Sequence, residues 1–424
     1  QKLAAGTCLI VENGTADIKR WWNCKPQPFD PVPKEAQVKE ELLELYRQTV
    51  KSHLISDVPL GILLSGGVDS NMLLALMNEF GEEWKSFTVG YGGSFFDDEL
   101  EYAKESADIF NSPHYSIKIN QERFEETLSK VISIVEEPIT SSSIVPMYYL
   151  CQKARQRVKV VLMGQGPDEL FGGYIRHLGV YYSKYWRFLP ARIRKPIGKF
   201  LSRVSKNESI RRGIHSLEVP EKMIRYQQVF SIMSESLIDG LFQEKVLPEG
   251  TGDLILDSWK DLESLIEETD DLNGFQYLEI RSSLPDELLM YGDKLSMAHG
   301  LEVRVPYLDQ KIVEYVERLP SDYHIRFGSQ KWIHKLVCSD YLPKKIIKRK
   351  KRGFAANVVD GWFKESLSNE FSGILLDKNS LMYEFLKPKK VISLYKDHID
   401  GKEVNYKILF SLIVLEKWLR EYHS

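Results

Sequence analysis

The chain has 424 residues, of which 43% are hydrophobic and 28% charged, with a formal net charge of -3. That length buries a sizeable core and more than one folding unit, and the near-balanced charge gives no general attraction to nucleic acid or to an anionic membrane. The four cysteines, Cys8, Cys24, Cys151 and Cys338, form neither a C-x-x-C pair nor a zinc spacing, which points to free thiols in a reducing cytoplasm.

Residues 1–33 read as short strands, "TCLIVENG" and "IKRWW", followed by a proline-rich linker, "KPQPFDPVP". Val38, Leu42, Leu45, Tyr46 and Val50 then recur at helical spacing. Strands and helices alternate from there: strand "VPLGILL", a helix over 70–80, strand "WKSFTVGY", and helix "DDELEYAKESADIF" with a capping box from Asp98 to Glu101. Strand "HYSIKI", helices "ERFEETLSKVISIVEE" and "VPMYYLCQKARQ", and strand "VKVVLMG" follow. This alternation predicts an α/β fold, a doubly wound parallel sheet with helices on both faces. Residues 34–180 form the expected nucleotide-binding core. Residues 181–285 read as a helical region and 286–424 as a helical part that completes the site, with loops at "LEVRVPYLD" and "KRKKRGFAANVVDGWF". The basic amphipathic stretch "RIRKPIGKFLSRVSK" is expected to pack on the core rather than touch a membrane, and no apolar run reaches the ~18 residues of a membrane span.

The stretch "GILLSGGVDS" at 61–70 is a buried strand, a glycine turn and a helix start. Bare N–H groups and a helix N-terminus then face one point, which suits an anion. Gly61 and Gly66 have the spacing of a Walker A loop, but Gly67 and Val68 stand where Lys and Ser or Thr are required. No G-x-G-x-x-G follows the strand either. A tight turn that merely needs glycines is the plain alternative. A second glycine-rich strand end, "VKVVLMGQGPDELFGGY" at 158–174, carries Asp168 and Glu169. Ligands of open parallel sheets bind beyond the carboxyl ends of the strands. Asp69 and Asp168 could there hold Mg²⁺ through carboxylate oxygens, while both acids of the second turn also suit a helix start.

"SGGVDS" resembles the pyrophosphate loop of the ATP pyrophosphatases, which include GMP, NAD, argininosuccinate and asparagine synthetases and tRNA-thiolating enzymes. "GQGPDELFGGY", "DKLSMAHGLEVRVPYLD" at 293–309 and "KRKKRGF" at 348–354, in this order, resemble the synthetase domain of glutamine-dependent asparagine synthetases. The likeness runs from about residue 34 to about residue 365 and implies an adenine-nucleotide α-hydrolase-like fold with helical insertions. It implies ATP as substrate, Mg²⁺ as cofactor, and a carboxylate converted to an amide through an acyl-adenylate. Ser65, Gly66, Gly67, Asp69 and Ser70 would hold pyrophosphate, and Asp69 and Asp168 the metal. Leu63, Val89, Met163 and Gly164 would meet adenosine. Lys351 matches the family lysine near the α-phosphate. Lys344, Lys345, Lys348, Arg349 and Lys350 read as a solvated charged loop beside it. Glu169, Asp293, Lys294, Glu302 and Arg304 are expected to touch substrate or brace the site. His299, with His53, His114 and His177, reads as structural, and Asp97 and Asp98 as helix-start residues.

The chain departs from the family at Gln165, where asparagine synthetases usually carry Glu. An amide orients a nucleophile but cannot take its proton. From Ile139 to Val145 the chain is neutral, where some members place a basic residue to hold aspartate. The acceptor is therefore aspartate or, as in surface-polysaccharide amidotransferases of this plan, a uronic acid sugar. A degenerate nucleotide-binding scaffold is the reading from another class. Residues 1–33 resemble the end of an N-terminal glutaminase domain plus linker, so the natural protein is expected to be longer and to draw ammonia from glutamine. No nucleic-acid partner is expected, and a homodimer is left open.

Overall fold

The structure, a computed structural model, describes residues 3–22, 25–81, 83–91, 99–204, 213–214, 216–243, 246, 253–349, 362 and 369–423. A five-stranded parallel sheet organises the molecule, in the order β5-β4-β3-β6-β7. Its strands are β3 (Leu60–Leu63), β4 (Lys85–Tyr91), β5 (His114–Ile119), β6 (Val160–Met163) and β7 (Glu302–Arg304). From β3 the chain winds outward through β4 to β5, then returns to lay β6 on the other side of β3. The direction of winding reverses between β3 and β6, so the gap beyond their carboxyl ends is the switch point where such sheets bind ligands. Leu63 and Met163 are direct partners across that gap.

Both faces of the sheet are covered, which is why β3 and β6 read as unbroken apolar runs rather than alternating ones. Ile62 and Leu162 point into a core shared with α1 (Glu35–His53), α2 (Val68–Met77) and residues 307–346. Leu63 and Val161 point into the opposite core with α4 (Gln121–Val135), α5 (Ile144–Arg155) and the C-terminal helix Tyr406–Tyr422. Helix α2 is buried from Ser70 to Met77, which explains apolar residues on nearly every side of it. Helices α6 (Pro167–Leu170), α7 (Ile175–Phe188) and α8 (Ala191–Val204) follow β6. A smaller core of Val180, Tyr226, Trp259, Ile266, Phe275 and Leu278 joins α7 to the helices around 222–281.

Three readings of the sequence are corrected. "LEVRVPYLD" is not all loop: Glu302–Arg304 forms the edge strand β7, paired with Val160–Leu162. Helix α3 (Leu100–Ile109) takes Glu99 as its N-cap; Asp97 and Asp98, and with them the capping box from Asp98 to Glu101, lie outside the described residues. Ile193, Ile197 and Phe200 of α8 face water instead of the core. Arg349 is packed rather than solvated. At the N-terminus, β1 (Thr7–Glu12) and β2 (Thr15–Arg20) form an antiparallel hairpin that keeps Leu9, Val11 and Ile18 exposed. Among the described residues, no helix is long and apolar enough to cross a membrane.

Candidate active site

The first turn, Leu64 to Gly67, leads from β3 into α2, with Gly67 as the helix N-cap. It is tied up from within. Ser70 Oγ accepts the Ser65 N–H at 3.1 Å, Ser65 Oγ accepts the Gly67 N–H at 3.1 Å, and the two hydroxyls lie 3.0 Å apart. Asn71 Nδ2 donates to the carbonyls of Ser65 and Gly67 at 3.1 and 2.7 Å. These bonds preform the turn around a helix N-terminus, where the backbone dipoles favour negative charge. Arg349 holds it from outside. Its guanidinium donates to the Gly66 carbonyl at 3.0 Å, lies over the Tyr102 ring at 4.6 Å and pairs with Glu105.

The second turn, Gly164 to Gly166, leads from β6 into α6. The two turns nearly touch. A Cβ on Gly164 would lie 2.9 Å from the Ser70 nitrogen, so only glycine permits the approach. Gln165 is half-buried on this turn. Asp69, in the first turn of α2, and Asp168, in α6, converge from the two sides.

Between them lies Lys331, which the sequence reading did not single out. Its ammonium is 2.7 Å from Asp69 Oδ2 and 2.7 Å from Asp168 Oδ1. The hairpin of β8 (Ile325–Arg326) and β9 (Ser329–Gln330) delivers it. Gln330 Nε2 donates to the carbonyls of Gly172 and Tyr174, and the Lys331 N–H to the Phe171 carbonyl, latching the hairpin onto the stretch that follows α6. Lys331 has the left-handed backbone φ 55°, ψ 42°, an unfavourable conformation for a side chain of its kind that this latch maintains. Gly173 makes room: a Cβ there would fall 1.9 Å from Asp168 Oδ1 and 2.4 Å from Lys331 Cε.

A buried relay backs the cluster. His334 Nε2 lies 3.1 Å from Asp69 Oδ1, its Nδ1 2.9 Å from the Tyr46 hydroxyl, and its ring stacks on Phe171. Tyr307 OH donates to the Asp69 carbonyl at 2.9 Å. Burial holds His334 below its usual imidazole value despite Asp69; the neutral ring donates from Nε2 and accepts at Nδ1. Burial alone pushes the Asp69 carboxyl up, but Lys331 and His334 overcome it and keep it well below the usual carboxylate range. Glu169 behaves oppositely: burial, then Asp168, pushes it up to about 7, while its Oε1 accepts the Tyr174 hydroxyl at 2.5 Å.

The donor set fits a magnesium ion. Two hard carboxylates against one ammonium leave an excess of negative charge at the mouth of an anion-binding turn. Among the described residues no group of three or more His, Cys, Asp or Glu is placed to hold a metal unaided.

A sequence model of the asparagine synthase family matches residues 41–420. The chain belongs to the asparagine synthase family. It is 26% identical to asparagine synthetase [glutamine-hydrolyzing] 1 of Bacillus subtilis (strain 168) over 395 residues, 92% of this chain and 60% of that protein. It is 32% identical to asparagine synthetase B [glutamine-hydrolyzing] of Escherichia coli (strain K12) over 192 residues, 41% of this chain and 34% of that one. The chain thus spans well under two thirds of the length of these relatives. Among solved structures, NMN synthetase from Francisella tularensis matches 34% of this chain and 59% of that chain, at 20% identity and a TM-score of 0.25.

Of the residues singled out from the family motifs, Ser65, Gly66, Gly67, Asp69, Ser70, Leu63, Met163, Gly164, Gln165 and Asp168 gather at the β3/β6 switch point, with Val89 one strand along on β4. Glu169 sits just beneath, fully buried. The others do not gather there. Asp293 is exposed. Lys294 bonds Glu136 and the Val135 carbonyl, closing the end of α4. Glu302 pairs with Arg304, whose guanidinium caps the end of α1 through the His53 and Ile55 carbonyls. Lys351 and Lys350 lie outside the described residues.

Proposed function

We propose that the chain catalyses AMP- and pyrophosphate-forming amide synthesis. A carboxylate oxygen of the acceptor attacks the α-phosphorus of ATP and pyrophosphate leaves. Ammonia then attacks the acyl carbon of the adenylate, AMP leaves, and nitrogen sheds a proton. The observation that carries this reading is the closure of two glycine-rich turns, from adjacent strands, around Asp69, Asp168 and Lys331.

Each residue has a task on this reading. The preformed turn at Ser65–Gly67 and the N-terminus of α2 receive the pyrophosphate, whose charge grows as the bond breaks. Lys331 supplies a fixed cation beside it. Leu63, Val89, Met163 and Gly164 line the adenosine side. Asp69 and Asp168 would hold Mg²⁺, which when bound neutralises and orients the phosphates. Lys351 is assigned to the α-phosphate by its motif. Gln165 orients ammonia without deprotonating it.

Aspartate is the acceptor that the family favours. Gln165 and the uncharged run from Ile139 to Val145 favour a second reading, a uronic acid sugar. The relatives' glutamine-hydrolyzing names support glutamine, split by a glutaminase unit, as the source of the ammonia. Mg²⁺-dependent ATP–pyrophosphate exchange with each acid, followed by trapping of the amide, tests the assignment. Exchange with a sugar acid and none with aspartate selects the second reading. No exchange with any acid leaves a nucleotide-binding scaffold.

A further inference from the structure

Helix α8 carries chemistry that the amide-forming site does not use. Every charged residue between Glu169 and Glu208 is Lys or Arg. The helix lies on the body of the protein through Gly198, where an added Cβ would meet Trp186 at 3.6 Å and Ile214 at 3.7 Å. Ile193, Ile197 and Phe200 recur at i, i+4 and i+7, so they share a stripe well over a right angle round the helix from Gly198. They face water, 51%, 40% and 65% exposed. Phe188, which ends α7 just before, is 84% exposed. Arg194, on the inner side, forms an ion pair with Glu218 at 3.1 Å. Arg192 and Lys199 lie beside the stripe and Lys195 nearly opposite it; all three are exposed and make no ion pair with any described residue. The usual amphipathic arrangement is inverted here: the small residue is inside and the large apolar ones are outside.

We propose that α8 is an interfacial anchor for an anionic lipid bilayer. Ile193, Ile197 and Phe200 enter the boundary between headgroups and acyl chains, and Arg192 and Lys199 beside them meet the lipid phosphates. The charge pattern selects lipid over a protein groove. A protein partner presents both signs, and this surface offers its cations no carboxylate counterpart. A bilayer presents apolar chains beneath a layer of one sign, which is what the stripe and its flank complement. Helix α7 begins just after α6, which carries Asp168, and ends just before this anchor, so docking would hold the site close to the bilayer surface. The inference does not depend on the proposed amide chemistry.

Co-sedimentation of the full chain with vesicles tests it. The protein is expected to pellet with phosphatidylcholine–phosphatidylglycerol vesicles, far less with pure phosphatidylcholine, and to be released by high salt. Changing Arg192 and Lys199 together to Gln should weaken partitioning about twenty-five-fold, since each basic residue near an anionic surface is worth about fivefold. Ile193→Ser, Ile197→Ser and Phe200→Ser together should abolish it. Circular dichroism melts check that both variants stay folded; the charge variant alters only exposed side chains and keeps the test open if the apolar one unfolds. Absence of binding to the anionic vesicles overturns the proposal. So does binding that neither variant weakens, or retention on an acidic polypeptide matrix without vesicle binding.

Discussion

Lys331 Nζ donates to Asp69 Oδ2 at 2.7 Å across 262 positions of sequence. The bond joins the β8–β9 hairpin to the first turn of α2, and the same ammonium reaches Asp168. Removing it leaves two carboxylates facing each other in a buried site. Lys331→Met should therefore cost about 3–5 kcal/mol of stability and eliminate ATP–pyrophosphate exchange. Adding Asp69→Asn should restore part of the stability and none of the exchange. Urea unfolding of both variants beside the exchange assay separates the two effects, and full recovery of exchange in the double variant would falsify the assigned roles.

Gly173 offers a more local perturbation. An alanine methyl would have to displace either Asp168 or the Lys331 stem. A shift of about 1 Å in a reacting constellation costs on the order of a hundredfold in rate. Gly173→Ala is expected to show that loss in exchange. Gly292→Ala, where an added Cβ meets nothing within 4 Å, is expected to leave exchange unchanged. Equal activity of the two variants would show that the cluster tolerates movement.

Arg349 and Lys344 stand close in one basic run but meet different surroundings. Arg349 bonds the Gly66 carbonyl, whereas Lys344 is exposed. A hydrogen bond to a charged group contributes about 1.5–3 kcal/mol, so Arg349→Ala should loosen the pyrophosphate turn and raise the KM for ATP about tenfold or more. Lys344→Ala should leave KM within error. Steady-state kinetics in ATP distinguishes a clamp from a solvated loop, for which the two variants would behave alike.

The sheet core is legible in sequence because its strands have apolar neighbours on both faces, as Ile62 and Leu63 do in opposite cores. The two turns are legible because close backbone approach demands glycine. Strand β7 escapes notice because Glu302–Arg304 is a short, charged edge strand whose only sheet partner is β6. Lys331 and His334 escape because a lone Lys and His after a Gly-Ser-Gln turn form no local pattern; only the tertiary latch of Gln330 onto Gly172 brings them to Asp69. Composition misleads at Arg349 and α8. A basic run suggested solvation where one arginine is packed, and an amphipathic stripe suggested a buried face where Gly198 does the packing.

Acid should destabilise the helical region through Glu279. Burial alone pushes this carboxyl up, but His177 at 2.5 Å and Arg176 at 2.6 Å bring it below the usual range. A folded value below the unfolded one means the stabilisation is complete above about pH 5 and is lost as pH falls through the folded value. Glu279→Gln cannot lose what it lacks. It should be less stable than the parent at about pH 6, and the gap should narrow towards about pH 3. Urea midpoints at several pH values give the comparison; a constant gap would place the acid sensitivity elsewhere.

Gln165 separates the two halves of the proposed reaction. It lies on the turn between Gly164 and Gly166, beside the residues proposed to gather the phosphates, but its amide cannot accept a proton. Adenylation needs no proton acceptor, because the attacking group is already a carboxylate. Attack by ammonia does need one, and a positioned base is worth about 10²–10⁴ in rate. Gln165→Glu should therefore leave ATP–pyrophosphate exchange within a few-fold of the parent and raise amide formation from ammonia, with a new rise in rate as the introduced carboxyl ionises. Gln165→Ala should spare exchange and lower amide formation. If both substitutions instead abolish exchange, Gln165 belongs to nucleotide binding, and the proton leaves the ammonia nitrogen by a path that does not involve this position.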